Sequence, residues 1–297
     1  MKKIFFGVFA LCMGLALVSC KKDKEGDGPK LVFKFQFDST QTRLNNLGQP
    51  ATIPSGNAAQ TPRFNKISAH YIELAPTMYT ALGTGSVLHK ASEVNATNGQ
   101  FSTAIDHDKC KQVGDGESFF SMPIKDVPVG TYEWLRVSLA YQNYDLKYAF
   151  EYAGNTYYAS GTLASFIGYN TYIKSYQIKN QSIDVNGPKL QGYWGFETTY
   201  AGITTKIPGQ APSGAITVPN PLFDSSPIPP GSCVVTAAFS EPLVITGNET
   251  ADRVVTVSLS INKSFEWTEV VNDGWFQPDK GELPVDMGVR GIVPSWQ

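Results

Sequence analysis

Leu31, Phe33, Phe35 and Phe37 alternate with Val32, Lys34, Gln36 and Asp38, a period of two that puts one apolar row on a single face of an extended strand. The pattern returns at residues 67–74, 86–90, 119–124, 132–141, 144–152, 156–167, 172–178, 182–185, 190–198, 233–239, 243–246, 254–260, 265–269 and 285–289. No stretch carries a convincing 3.6-residue apolar stripe, so a helical framework is excluded. Gly154-Asn155, set between two aromatic runs, marks a tight hairpin turn. About fifteen short strands separated by turn residues predict an all-β fold, a large antiparallel β-sandwich over residues 30–297, with a closed barrel as the alternative.

Two stretches break the rhythm. Residues 207–231 carry Pro208, Pro212, Pro219, Pro221, Pro227, Pro229 and Pro230, which bars a helix or an inner strand of any length. This segment reads as a long excursion over one sandwich, or as a linker with a sub-boundary in 207–232. Residues 40–66, rich in Asn, Gly, Gln and Pro, form a second long loop.

The first residues state where such a chain is sent. Lys2 and Lys3 precede an apolar run from Ile4 to Val18, then Ser19-Cys20 and the mixed-charge Lys21-Lys22-Asp23-Lys24-Glu25. A basic start and an apolar core of about fifteen residues make a secretory signal, too short to span a bilayer. Leu17-Val18-Ser19-Cys20 resembles a bacterial lipobox, which implies cleavage after residue 19, acylation of Cys20 and a membrane anchor. The charged residues that follow resemble the surface-export signal of Bacteroidota lipoproteins, which implies an outer-membrane lipoprotein exposed at the cell surface. Residues 20–29 then read as the lipidated Cys and a flexible tether. Loss of Lys2 and Lys3 takes the formal charge from -2 to -4, so no basic surplus exists for a nucleic-acid partner. Of four cysteines, Cys12 leaves with the signal and Cys20 takes the lipid. Cys110 and Cys233 remain as a disulfide candidate in an oxidising compartment, the alternative being two buried thiols.

The chain has no G-x-S-x-G, H-E-x-x-H, C-x-x-C or G-x-G-x-x-G motif, and Ser260-Ile261-Asn262-Lys263 meets S-x-x-K without its companion elements. The expectation is therefore a binding protein, not an enzyme, with no cofactor required. Three classes of residue could form a site. Asp273, Asp279 and Glu282, with Glu266, Glu269 and Asp286 nearby, are oxygen donors around Asn272-Asp273-Gly274 of the kind calcium takes, or solvated carboxylates of a hairpin loop. His70 and His107, the latter between Asp106 and Asp108, join His89 as candidate ligands for a transition metal such as copper. Tyr157, Tyr158, Tyr169, Tyr172, Tyr193 and Trp194 could form an outward aromatic platform for a glycan or an envelope protein, or could fill the core.

Residues 33–37, 67–74 and Val127-Pro128-Val129-Gly130-Thr131-Tyr132-Glu133-Trp134-Leu135-Arg136-Val137 resemble the methanobactin-partner-like (MbnP-like) β-sandwich lipoproteins over residues 30–150. The resemblance implies an association with copper and with a haem-enzyme partner. On its own physics, Val127-Pro128-Val129-Gly130 is a turn leading into a long strand, with Leu135, Val137 and Leu139 on one face and Trp134, Arg136 and Ser138 on the other. The leading expectation is a lipid-anchored recognition module for a glycan or a protein. The alternatives are a metal-binding envelope protein and a structural surface protein.

Overall fold

The computed structural model describes residues 28–97, 99–211 and 233–297. The expected signal peptide 1–19, the expected acylation at Cys20, most of the expected tether 20–29 and most of the Pro-rich segment, residues 212–232, lie outside the described residues. The protein is all-β, and its layers are those of a β-sandwich.

One layer is a four-stranded sheet in the order β18 (Ile292–Trp296), β15 (Arg253–Ser260), β1 (Lys30–Asp38) and β7 (Ser118–Pro123). Leu31, Phe33 and Phe35 of β1 are buried as their alternation requires. This layer is not wholly antiparallel: β1 runs parallel to β15, from Leu31 beside Arg253 to Asp38 beside Ser260. A parallel pair needs a long crossover, and here most of the chain lies between the two strands.

The facing layer is a curled seven-stranded sheet. Its path is β13 (Ile203–Gln210), β12 (Tyr193–Tyr200), β9 (Asn155–Phe166), β8 (Gly130–Tyr152), β3 (Arg63–Ala75) and β4 (Ser86–Lys90), with β14 (Cys233–Ile245) also on β8. β8 is one strand of 23 residues where two were expected. Its buried inner row is Leu135, Val137 and Leu139, then Tyr144, Leu146 and Tyr148. That change from odd to even positions falls where the β3–β8 register slips between Ser68 and Tyr71. A bulge there turns the strand, so both halves of β8 face the same core. The two halves also take different neighbours, β14 from Gly130 to Leu139 and β9 from Tyr141 to Tyr152. Since β14 pairs with β8 and β15 with β1, the strands beyond residue 232 belong to the same sheets as those before 212.

The β8–β9 hairpin turns on Ala153-Gly154, with φ of 50° and 76°, one position before the Gly154-Asn155 pair expected from sequence. Two residues with positive φ match the strand twist. Ala201-Gly202, at 48° and 81°, does the same for β12 and β13. Sequence reading missed β13 by placing Ile207 and Pro208 in the Pro-rich loop. An edge strand has one unpaired side and tolerates the N–H that Pro208 lacks. The expected 40–66 loop likewise contains a short strand, β2 (Asn57–Gln60), and the start of β3.

A third layer covers part of the outer face of the large sheet: β11 (Ser182–Leu190), β10 (Asn170–Gln177), β6 (Thr103–Asp106) and β5 (Glu93–Asn95). Tyr141 and Phe166 of the large sheet pack there against Ile173, Tyr176 and Tyr193. β2, β16 (Phe265–Thr268) and β17 (Pro284–Met287) make a small sheet whose Phe265, Trp267 and Met287 extend the main core. The edge of β8 beyond Asp145 is capped from this side, Gln60 bonding Lys147, the Phe276 carbonyl accepting from Ala149 N–H, and Asp279 accepting from Glu151 N–H. Such capping removes an edge open to another strand.

The expected Cys110–Cys233 disulfide is not formed, and both thiols are free. Cys233 lies in the main core beside Leu139, whereas Cys110 follows the outer-layer strand β6 and packs near Ile105 and Tyr169. The large sheet separates these two clusters. Burial pushes the Cys110 thiol up to about 11 and the Cys233 thiol higher still, which keeps both unreactive. Alkylation of the unfolded, unreduced protein is expected to label both Cys110 and Cys233. A mass that shifts only after reduction would restore the disulfide.

Candidate functional site

Alternation along β8, β9 and β12 gives the large sheet two opposite chemical faces. The inner face continues past the core into an apolar cleft of about 380 Å³, lined by Tyr148, Leu163, Trp194, Phe196, Ile207, Phe276 and Leu283. On the other side of the same strands, where the third layer stops, lies a polar groove. Its larger part holds about 460 Å³ and an adjoining part about 180 Å³, with Asp145, Thr162 and Lys179 lining both.

The groove floor is a connected set of side chains. Asn143 Nδ2 donates to the Ile178 carbonyl at 2.9 Å and to the Tyr141 hydroxyl at 3.3 Å. Asn65 Nδ2 donates to Asn143 Oδ1 at 3.0 Å and to Asp145 Oδ1 at 3.2 Å. Thr162 Oγ1 donates to Asp145 Oδ1 at 2.6 Å, and Arg63 holds Asp145 Oδ2 in an ion pair. Burial alone would raise the Asp145 carboxyl, but the bonds from Thr162, Arg63 and Asn65 outweigh it and hold the group below its ordinary value. Every floor residue is thus fixed in orientation, while Lys66, Gln112, Gln177 and Lys179 form the rim.

The aromatic candidates do not make one platform. Tyr169 and Tyr193 are buried, which corrects their assignment as ligand contacts. Tyr169 donates to or accepts from Thr103 at 3.0 Å, and Tyr193 packs on Phe166 and Tyr176. Trp194 lines the apolar cleft, and Tyr157 lies beside Phe150 and Tyr200 on that same face. Tyr158 is on the opposite face, 57% exposed, its ring 4.5 Å from Trp275. Tyr172 is half-buried in the third layer. Neighbouring residues on a strand point to opposite sides, so adjacency in sequence scattered the group.

The carboxylates around Asp273 are engaged by backbone amides. Glu282 accepts from Val270, Val271 and Gln277 N–H, Asp273 from Trp275 N–H, Glu269 from Asp273 and Gly274 N–H, and Asp279 from Glu151 N–H. Glu266 pairs with Arg43 and Asp286 with Arg290. These acids tie loops down and do not converge. The histidines are dispersed too: His70 bonds Glu93 at 3.0 Å and meets Tyr169 on the outer face, His89 meets Phe119 on the inner face, and His107 packs on Phe166. Among the described residues no three His, Cys, Asp or Glu side chains stand close enough to share a metal ion, so the expected groupings of Asp273, Asp279 and Glu282 and of His70 and His107 are not formed.

Burial lowers the pKa of His89 and of His107, in the latter against the pull of Asp108 and Asp106. The unfolded chain then binds more protons than the native one as pH falls through about 6.5, so these two groups weaken stability in acid and restore it as pH rises. Asp286 acts in the opposite sense, because burial raises its carboxyl to about 6 against the pull of Arg290. The useful quantity is therefore a difference. His107→Phe is expected to lose less melting temperature than the wild type between pH 7.5 and pH 5, and equal losses would remove His107 from the account.

Comparison with family models, with characterised proteins and with solved structures finds no match to this chain. The groove residues escaped sequence reading. Their one local signal was the polar row Asn143 and Asp145 set against Tyr144 and Leu146 within β8. The convergence of Arg63, Asn65 and Thr162 on that row depends on strand pairing.

Proposed function

We propose that this protein is a lipid-anchored, surface-exposed binding protein of the outer membrane, without catalytic activity, that takes a glycan in the polar groove across β3, β8 and β9. The observation that carries this reading is the preorganised floor of Asn65, Asn143, Asp145 and Thr162 beneath a cavity of about 460 Å³. Sugar hydroxyls donate and accept at once, and removing them from water is favourable only where side chains of both kinds replace each lost bond. Amides, a carboxylate and hydroxyls meet that need; an apolar ligand would strand them. The lipobox-like Leu17-Val18-Ser19-Cys20 supports the anchor.

Glycan-array screening followed by calorimetry on the purified full-length protein tests the reading. The rim variants Gln112→Ala and Gln177→Ala are each expected to weaken binding by about three- to tenfold, the value of one lost hydrogen bond. Absence of any retained glycan, or affinities unchanged by both substitutions, would sink it. The apolar cleft favours a second reading, recognition of a protein partner, since Ile207 and Leu283 at its rim are 49% and 54% exposed.

A further inference from the structure

We infer that the groove selects acidic saccharides, with the ammonium groups of Lys66 and Lys179 meeting the carboxylates of hexuronate units. This assignment rests on the glycan reading of the groove and adds the charge of its ligand.

The inference follows from which lining charges are already satisfied. Asp145 is paired with Arg63 and accepts from Thr162 and Asn65. Glu197, which lines the smaller part, is buried, and its Oε2 accepts the N–H groups of Lys179, Asn180 and Gln181, each at 2.9 Å. Both carboxylates are therefore held by the protein itself. The two lysines differ: among the described residues neither ammonium has an ion-pair or hydrogen-bond partner. A chain with a formal charge of -2 thus presents a locally cationic groove.

Placement makes these charges more than stray surface lysines. Lys66 follows Asn65 on β3, so its backbone is set by the strand that supplies the floor. Lys179 stands in the turn between β10 and β11, closed by the Ile178 N–H to Gln181 carbonyl bond and gripped by Glu197. The two positive groups lie at a cavity already built for hydroxyls. A ligand with hydroxyls and a carboxylate on each ring matches both features. A neutral sugar leaves the lysines idle, and a bare inorganic anion leaves the amide floor idle.

The test titrates the purified full-length protein with a galacturonate tetramer, a galactose tetramer and inorganic sulfate. The acidic tetramer is expected to bind about tenfold or more tighter than the neutral one, with affinity falling as salt rises, and the Lys66→Gln/Lys179→Gln double variant is expected to abolish that preference and its salt dependence. Equal affinity for the two tetramers, or a preference that survives in the double variant, would overturn the acidic assignment and leave the glycan reading standing. Sulfate binding as tightly as the acidic tetramer would overturn it in favour of a simple anion site. If neither tetramer binds, the glycan reading falls and the acidic assignment with it.

Discussion

Glu73→Ala is expected to remove about 3–5 kcal/mol of stability, while Arg136→Met a few ångströms away costs less than about 1.5 kcal/mol. Both side chains are buried on the outer face of β3 and β8, with Glu73 Oε1 at 3.8 Å from Arg136 Nη1. Their surroundings are unequal. The Glu73 carboxylate accepts from the Tyr71 hydroxyl at 3.0 Å, Gly83 N–H at 2.8 Å and Gly85 N–H at 2.7 Å, so it holds the 76–85 loop against the sheet. Among the described residues Arg136 donates a hydrogen bond only to the Met78 carbonyl, at 3.3 Å, while its Nε and Nη1 make none and Nη1 has only the long 3.8 Å approach to Glu73. Burial lowers the Arg136 pKa against the pull of Glu73, the sign of a cation short of compensation.

Removing Glu73 therefore strands a buried guanidinium and two amides, whereas removing Arg136 leaves the carboxylate its three donors. Gly85 shows how tightly the loop is seated: a Cβ there would lie 2.4 Å from the Leu74 carbonyl oxygen and 2.6 Å from Glu73 Oε1. Denaturant unfolding of the two variants checks the asymmetry. Equal losses would mean that the ion pair, and not the loop amides, carries the stability of this region.

Trp267→Ala is expected to cost about 3–5 kcal/mol, the range for deleting a fully buried large aromatic. Trp267 heads the fully buried side chains by volume and sits on β16, between Ala58 of β2 and Pro284 of β17. Its ring lies 5.9 Å from Phe265 and 5.7 Å from Phe276, two residues that line the apolar cleft. Loss of the indole would leave a cavity under that cleft that β-sheet backbone on either side cannot collapse to fill. Its Nε1 has no partner among the described residues, so Trp267→Phe discards an uncompensated polar atom along with volume and is expected to cost less than half as much. Thermal melts of both variants decide the point; a Phe variant as unstable as the Ala variant would assign the indole N–H an essential role.

The residues differ in how far their neighbours in sequence disclosed their roles. Phe33 and Phe35 announced a buried row because a strand's two faces alternate with a period of two, a rule that needs no partner strand. Leu135, Val137 and Leu139 were equally legible, and so were Leu146 and Tyr148. That the two rows belong to one strand and one core was not legible, because the change of parity between them is reconciled by a bulge against β3. Tyr169 and Tyr193 read as platform candidates because chain proximity does not say which face a third layer will cover. The acids near Asp273 read as donors for a cation, but the loop's own N–H groups reached them first.

An all-β chain, the inner row of most strands and the place of the β8–β9 turn to within one residue could be read from the sequence alone, since each depends on residues a few positions apart. Only the tertiary structure decided that Cys110 and Cys233 stay apart, that the tyrosines divide between two faces, and that a polar groove exists. Asn65 meets Asn143 across 78 positions, and Arg63 meets Asp145 across 82. Contacts of that kind are set by strand register and by where the covering layer ends, and no local pattern of side chains encodes either.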